Sequence, residues 1–534
     1  FWLKNLCSRR MATKWLWQLH WQRIAGVATG WLASQPSVRL LLAEESSPVQ
    51  DGLPDRQCGK HVYVWGRRLA MPVCEATGDV TPEGDIKTPI EVSWFRIHSE
   101  RRGCLWCQVA FGPSFGAARA DSGELYVWGS CKGKDGRRYY MEPRPLANPH
   151  MQERLRDVQC SESAIWALTS DGKVLIWEQI PDRISASASS SSSSGLHEAP
   201  RQLGGLSRPV RNMSIGATHA TFVTDDGELY CLGANRYGEC AVDPARLSVA
   251  ATCHRVKLPH GANPIAQAAC GRHHTVAVSE HGQTFSWGDD SKIQLGLGDT
   301  RSSLGEERPW SGSRGFHNWL QTGEAMAPAL RGEGREGFTK AIRNTSTKYG
   351  EYEVHFQWQP SIMHKIPLEF ERQVHGTPYP APDAVLCGSD FTIQIVRDSP
   401  DWFHPEEATH RIFCCGENSR GQCGRGLQGT QQTFAATRLP RNSRIEAASC
   451  GSDHCLAVLR RAETPNKREL WSWGCNDCGQ AAGKAGTICP AARVRLPGTT
   501  QVEAVWCGFG NSCAICSARL KRADSSGSPV SEVE

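Results

Sequence analysis

The cysteines are the first residues whose type and spacing could do chemistry. Cys-x-x-Cys occurs at Cys104/Cys107, Cys475/Cys478 and Cys513/Cys516, a spacing that holds zinc or carries redox chemistry when both sulfurs reach one point. The first and third pairs fall in predicted strands, where positions three apart face opposite sides and cannot chelate one ion. Cys475 and Cys478 occupy a loop and could approach a metal or each other, but zinc needs two further ligands that the sequence does not place. His219, His274 and His454 recur at one point of a repeated phrase, while Phe115, Ala164, Phe391 and Asn511 stand there in other copies. That irregular replacement fits local hydrogen bonding and not a catalytic ring. There is no Walker loop, His-Glu-x-x-His or Gly-x-Ser-x-Gly, so phosphate-cradling, zinc-hydrolase and nucleophile-elbow chemistry have no support. Two Gly-x-Gly-x-x-Gly strings, at 332–337 and 424–429, lie outside any strand-to-helix unit and read as turns. No catalytic residue, cofactor or metal is expected, and the protein is read as a non-enzyme.

The elements that carry these residues repeat along the chain. One phrase is a short β-type run ending in aromatic-Gly or a close variant: HVYVWG (61–66), GELYVWG (123–129), GKVLIWE (172–178), GELYCLG (227–233), GQTFSWG (282–288), RIFCCG (411–416) and ELWSWG (469–474). A second phrase alternates with it, a small residue and Gly followed by polar residues and an apolar run, as in IGATHATFVT (215–224), CGRHHTVAV (270–278) and CGSDHCLAVL (450–459). Each phrase occurs seven times, with a period of about 50–60 residues and one longer gap between Gly271 and Gly388. Asp-Gly and His-Gly pairs between the phrases suit tight hairpins. Each unit is then a small antiparallel sheet that cannot bury both faces alone, and seven such sheets arranged radially cover one another. The first phrase lacks the upstream half of its sheet and the last lacks the downstream half, so the two ends should pair and close the ring.

The stretches WGDDSKIQLGLGD (287–299), CGENSRGQCGRG (415–426), WGCNDCGQAAG (473–483) and CGRHHTVAV resemble the repeats of the regulator of chromosome condensation family. The resemblance implies an all-β, seven-bladed propeller of regulator-of-chromosome-condensation-like repeats, spanning about His61 to Cys516. Within that frame, Trp65, Trp128, Trp177, Trp287 and Trp473 are expected to anchor blade to blade, and Cys160, Cys270, Cys387, Cys450 and Cys507 to be small core residues beside the repeat Gly. A light-sensing branch of the fold carries Trp directly after that Gly. Here Pro113, Glu162, Ala217, Arg272, Ser389, Ser452 and Phe509 take the place, so photoreception is not implied. The family's founding member exchanges nucleotide on a Ran-like GTPase with a wedge that follows the third Trp-Gly strand. The matching stretch here, WEQIPDRISASASSSSSSG (177–195), has Glu178 for Gly and runs into serines, so no wedge residue carries over.

The expected organisation is an N-terminal targeting or docking segment over 1–57, a propeller over 58–518, and a flexible tail over 519–534. Two stretches inside the propeller span are expected to lie outside the repeat: a Ser-rich flexible loop at 181–200, and an insertion in the fifth repeat at 301–357. The insertion ends in a strand with Tyr352, Val354, Phe356 and Trp358 on one face. No acidic residue precedes Glu44. Trp17, Trp21, Ile24, Ala28 and Trp31 fall on one side of a helical wheel, an amphipathic, Arg-containing start of the transit-peptide type. Interruptions at Gln18, His20, Gln22 and Arg23 argue against a membrane span, while lying on a membrane surface stays open.

Charge names no partner. The net charge is +5 over 534 residues, far from the basic stripe of a nucleic-acid binder, so no specific nucleic acid is expected. The 23 cysteines are too sparse for a disulfide scaffold, which runs at ~8–10%, and point to buried thiols in a reducing compartment. The expected function is a non-enzymatic scaffold, an accessory or assembly subunit of a large mitochondrial complex such as a respiratory-chain complex or the mitoribosome. Its partner contacts are expected at Trp17, Trp21, Trp31, Trp310, Phe316 and Trp319. The alternative is a nuclear exchange factor acting on a Ran-like or other small GTPase.

Overall fold

A computed structural model describes residues 59–73, 84–132, 136–147, 154–189, 196–259, 264–297, 339–344, 352–363, 382–397, 409–426, 428–465, 467–483, 486–497 and 500–518. Among these residues the strands form seven sheets, here called blades 1 to 7 in the order of their Trp-Gly phrases. Blade 2 takes Trp106–Phe111, Phe115–Ala120, Leu125–Lys132 and Arg138–Pro145, and blade 3 takes Leu155–Cys160, Ile165–Thr169, Val174–Trp177 and Arg201–Gln202. Blade 4 comprises Val210–Ile215, His219–Thr224, Leu229–Ala234 and Val249–Arg255. Blade 6 runs from Pro382–Cys387 through Phe391–Arg397 and His410–Gly416 to Gln431–Ala436, and blade 7 from Ser443–Cys450 through His454–Arg461 and Arg468–Cys475 to Ile488–Val494.

Blade 1 is composite. His61–Gly66 pairs antiparallel with Asn511–Ala518, Val62 opposite Ile515 and Val64 opposite Cys513. Ile86–Glu91 and Thr500–Cys507 flank that pair. The two ends of the repeat thus close the ring as their half-units require, and neither closing strand is left as a bare edge.

Burial explains the sequence pattern of each blade. The second strands lie between two neighbouring blades, so both faces are covered and they read as unbroken apolar or small runs, such as the fully buried His274–Ser279. First strands of neighbouring blades touch one another near the axis, where side-chain amides clip the blades together. Gln108 donates from Nε2 to the Val158 carbonyl at 2.9 Å and accepts from the Val158 N–H at 3.0 Å. Gln267 does the same with Val385 at 3.0 and 3.2 Å. The hydrophobic clusters belong to seams, not to single blades: Trp287 and Phe285 of blade 5 pack with Val223, Leu229 and Cys240 of blade 4.

The hairpin turns place their glycines in the left-handed region, as at Asp226-Gly227 and Ser122-Gly123. Gly227 has φ +76°, and a Cβ there would lie 2.2 Å from Pro264 Cβ, because the Ile265 N–H of the next blade donates to the Gly227 carbonyl. Gly123 has φ +85° with open space around it. Gly123→Ala is expected to cost about 1–2 kcal/mol for the left-handed backbone alone. Gly227→Ala adds a blade-to-blade clash and should cost clearly more, as denaturant midpoints of the two variants will show.

Two expectations need correction. The Ser-rich loop at 181–200 begins as a helix, Ile180–Ser189. Ile180 and Ile184, one helical turn apart, are buried in the seam of blades 2 and 3, and this docking supplies the apolar contact that the serines lack. The described parts of the insertion at 301–357, residues 339–344 and 352–357, do not stay outside the sheet. Blade 5 consists of Ile265–Cys270, His274–Ser279 and Thr284–Asp289, then Tyr352–Ile362 as its fourth strand, with Thr339–Asn344 added as a fifth. Phe285 opposite Ile362 and Gly288 opposite Gln357 supply the outer partner that Thr284–Asp289 requires.

Candidate protein interface

At one end of the ring, the turns between first and second strands meet the loops that follow the Trp-Gly strands. The phrase residues tie these two sets of loops together. In blade 4 the Glu239 carbonyl accepts from Trp287 Nε1 at 2.8 Å and Thr275 Oγ1 at 3.0 Å, both from blade 5. Thr275 Oγ1, having donated its proton, takes the Nε2–H of His219 at 2.9 Å. The same relay recurs from His454 Nε2 to Ser512 Oγ at 2.9 Å and on to the Gln480 carbonyl at 2.8 Å, which also receives Trp65 Nε1 at 2.8 Å. His274 Nε2 reaches Thr392 Oγ1 at 3.1 Å, which donates to the Gln294 carbonyl at 2.7 Å. The repeat histidines are therefore neutral Nε2–H tautomers that link blades. Burial lowers their pKa values, to about 4 for His219 and His454 and about 3 for His274.

In blades 4 to 7 the loop that follows the third strand is locked from inside. Asn235, Asn418 and Asn476 accept through Oδ1 from the N–H groups of Cys240, Cys423 and Ala481 at 2.9, 2.9 and 3.1 Å. Glu239, Gln294, Gln422 and Gln480 accept on their side chains from the N–H groups of Tyr237, Lys292, Arg420 and Cys478 at 2.8–2.9 Å. Gly479 lets the outer strand of blade 1 approach, since a Cβ there would sit 2.4 Å from Lys87 Cα. What these fixed residues position is the loop tip: Arg236 and Tyr237, Lys292, Arg420, and Asp477 with Cys478. Arg236, Lys292, Arg420 and Asp477 are exposed.

Acidic groups lie inside this rim. Burial pushes Asp289 up to about 6, with Asp390 adding to it, and burial also raises Asp390, with Asp453 and Glu417 repelling its charge. Burial pushes Glu417 up too, but bonds from Ser419 and Lys292 outweigh it and hold the group below its ordinary value. Lys292 Nζ pairs with Glu417 at 2.9 Å, Arg420 pairs with Asp477, and His273 Nδ1 sits 3.2 Å from Glu239. The face is thus a rigid charged surface with basic tips around half-buried carboxyls, suited to complementary recognition.

The thiols face inward. Cys270 donates to the Ser214 carbonyl at 3.3 Å, and Cys507 to that of Ser449 at 3.3 Å. Burial pushes Cys270 up to about 12 and also raises Cys160, Cys387 and Cys507. Iodoacetamide at pH 8 should therefore leave these four unmodified in the native protein and label them after denaturation, as peptide mass spectrometry will report.

Cys513 packs in the blade 1–2 seam and Cys516 in the blade 7–1 seam, the opposed placement expected of them. Cys104 precedes the strand Trp106–Phe111 and is not part of it. Cys475 lies 3.6 Å from Arg420 Nη1, and among the described residues no group of three His, Cys, Asp or Glu side chains is arranged to hold a metal. The contact residues expected from sequence, Trp17, Trp21, Trp31, Trp310, Phe316 and Trp319, lie outside the described residues. Sequence reading missed the loop tips, although the Asn-x-x-Gly-Gln phrase brackets them.

A family model described as the regulator of chromosome condensation repeat matches residues 226–278 and 409–458, and a second model of the same repeat matches 210–239. The chain carries divergent copies of this repeat. The ultraviolet-B receptor UVR8 of Arabidopsis thaliana is 26% identical over 324 residues, covering 59% of this chain and 65% of the receptor, so the chain spans just under two thirds of that relative's length. A secretion-regulating guanine nucleotide exchange factor of Mus musculus is 24% identical over 400 residues, covering 70% of this chain and 69% of that protein. Among solved structures, human WBSCR16 superposes with a TM-score of 0.57 at 16% identity, covering 86% of this chain and 99% of that one. At such identity the likeness is one of fold.

Proposed function

We propose that the protein is a non-enzymatic interaction platform, an accessory or assembly subunit of a large complex, and that it binds protein through the loop face of blades 4 to 7. One observation carries this reading: the repeat's Asn, Gly and Gln residues lock each loop from within while Arg236, Lys292, Arg420 and Asp477 are held outward. Preorganised loops lose little entropy on binding, which suits a docking surface. A mitochondrial setting, a respiratory-chain complex or the mitoribosome as host, and contact of the first residues with a membrane surface belong to the same proposal. They rest on the acid-free stretch before Glu44.

The second reading is nucleotide exchange on a small GTPase, favoured by the likeness to the mouse exchange factor. Against it, the stretch after Trp177, where the founding member has its wedge, is the helix Ile180–Ser189, anchored by Ile180 and Ile184 in a seam. Tagged protein recovered from separated mitochondrial and nuclear fractions, with mass spectrometry of its partners and native N-terminus, tests address and company together. Stoichiometric mitochondrial subunits are expected. Nuclear recovery with a small GTPase, and faster nucleotide release at substoichiometric protein, would replace this reading with the second.

A further inference from the structure

After the Trp-Gly phrase of blade 1 the chain makes a 3-10 turn, Arg68–Ala70. Arg68 is 5% exposed, and its Nε and Nη2 atoms have no hydrogen-bond partner. These two N–H groups form the parallel fork by which a guanidinium grips two oxygens of one oxyanion. Asp85 accepts from the Arg68 main-chain N–H at 2.9 Å, so it meets the backbone of this residue and leaves the fork open. The guanidinium carbon lies 5.0 Å from the centroid of the Tyr140 ring in blade 2, which orients its plane but offsets only part of the cost of a buried, unpaired charge.

Further cations lie on the same seam. Ser130 Oγ donates to the Leu69 carbonyl at 2.8 Å and accepts from Arg138 Nη1 at 3.2 Å. Tyr140 lies opposite Ser130, and Arg138 opposite Lys132, in the blade 2 pairing. Arg138 and Lys132 are exposed. The arrangement is a buried guanidinium with an unpaired fork, and two exposed cations on paired strands of the adjoining blade.

We propose that Arg68, Arg138 and Lys132 form a binding pocket for a phosphate monoester at the seam of blades 1 and 2. Three cations favour a dianion over a carboxylate, which brings one charge. A diester carries one charge and two substituents, and its phosphorus would be held away from a residue as enclosed as Arg68. The pocket goes beyond the platform reading and stands whether or not that reading does.

The test is calorimetric titration of the full chain with inorganic phosphate, phenyl phosphate, dimethyl phosphate and acetate. Saturable one-to-one binding of the first two is expected, with dimethyl phosphate and acetate at least tenfold weaker. Arg68→Lys keeps the charge but removes the fork, and should weaken phosphate at least tenfold. Arg138→Gln changes an exposed side chain and should weaken it severalfold with an unchanged unfolding midpoint. Phenyl phosphate binding more tightly than inorganic phosphate would support the pocket and identify an esterified ligand; equal affinity would support it with the free ion as ligand. The proposal is overturned if the wild type shows no saturable phosphate binding, if acetate binds as tightly as phosphate, or if Arg138→Gln binds phosphate like the wild type. The last result decides even if Arg68→Lys fails to fold.

Discussion

Lowering the pH from 7 to 5 is expected to remove several kcal/mol of folding stability through three buried histidines. His219, His274 and His454 are fully buried, and burial depresses their folded pKa values to about 4, 3 and 4 from an ordinary 6.5. A base with a depressed folded pKa binds protons in the unfolded chain first. Its contribution is complete above pH 6.5 and is lost as the pH falls toward the folded value, at about 1.4 kcal/mol per pH unit for each imidazole. Between pH 7 and 5 the three together lose roughly 5–6 kcal/mol. Asp289 works the other way: its folded pKa of about 6 lies above the ordinary 3.8, so its protonation returns roughly 1 kcal/mol over the same interval, and Asp390, also raised, acts in the same direction. Denaturant titrations at the two pH values measure the net loss. His454→Gln should lower stability at pH 7 yet flatten the acid dependence by about a third of the histidine share. An unchanged pH slope would contradict the relay of neutral imidazoles.

Trp287→Ala is expected to cost about 3–5 kcal/mol, the range for removing a fully buried large aromatic side chain. Trp287 is 0% exposed, packs in the seam of blades 4 and 5, and donates to the Glu239 carbonyl at 2.8 Å. Its loss opens a cavity between blades and takes one of two donors from a carbonyl that organises the loop face. Trp471, two residues before the Trp-Gly of blade 7, is only partly buried and donates to Glu469 at 3.3 Å. Trp471→Ala should cost well under half as much. Thermal and denaturant unfolding of the two variants compare a fully buried seam anchor with a partly exposed tryptophan, and equal losses would refute the anchor role.

Much of the fold was legible because the repeat phrases are packing rules written locally. Small-Cys-Gly marks where a first strand ends against its neighbour, and Trp-Gly marks where a third strand meets the preceding loop. The unpaired half-units at His61 and Cys516 pointed to the closure that Val62 and Ile515 make. Features that depend on distant partners were not legible. Ile180 and Ile184 turn a serine-rich stretch into a helix only because a seam between blades 2 and 3 receives them. Tyr352–Ile362 becomes a blade strand because Thr284–Asp289 lacks another outer partner. At the candidate interface the framework residues carry the signal and the tips do not. Lys292 and Arg420 read as ordinary charged loop residues until Gln294 and Gln422 are seen to hold their backbones. Arg68 is hidden for the same reason, since its enclosure depends on Tyr140 of the next blade.

The interaction platform is tested most directly by charge reversal on its two ends, with partner stoichiometry read by quantitative mass spectrometry of the tagged full chain. Lys292→Glu with Arg420→Glu alters the loop tips, and Asp226→Lys alters an exposed hairpin turn at the other end of the strands. The account predicts that the loop-tip variant stays folded, with a midpoint lowered by the loss of the Lys292–Glu417 and Arg420–Asp477 pairs, and loses its stoichiometric protein partners, while Asp226→Lys retains them. Full retention by the loop-tip variant, or loss in Asp226→Lys alone, would contradict it.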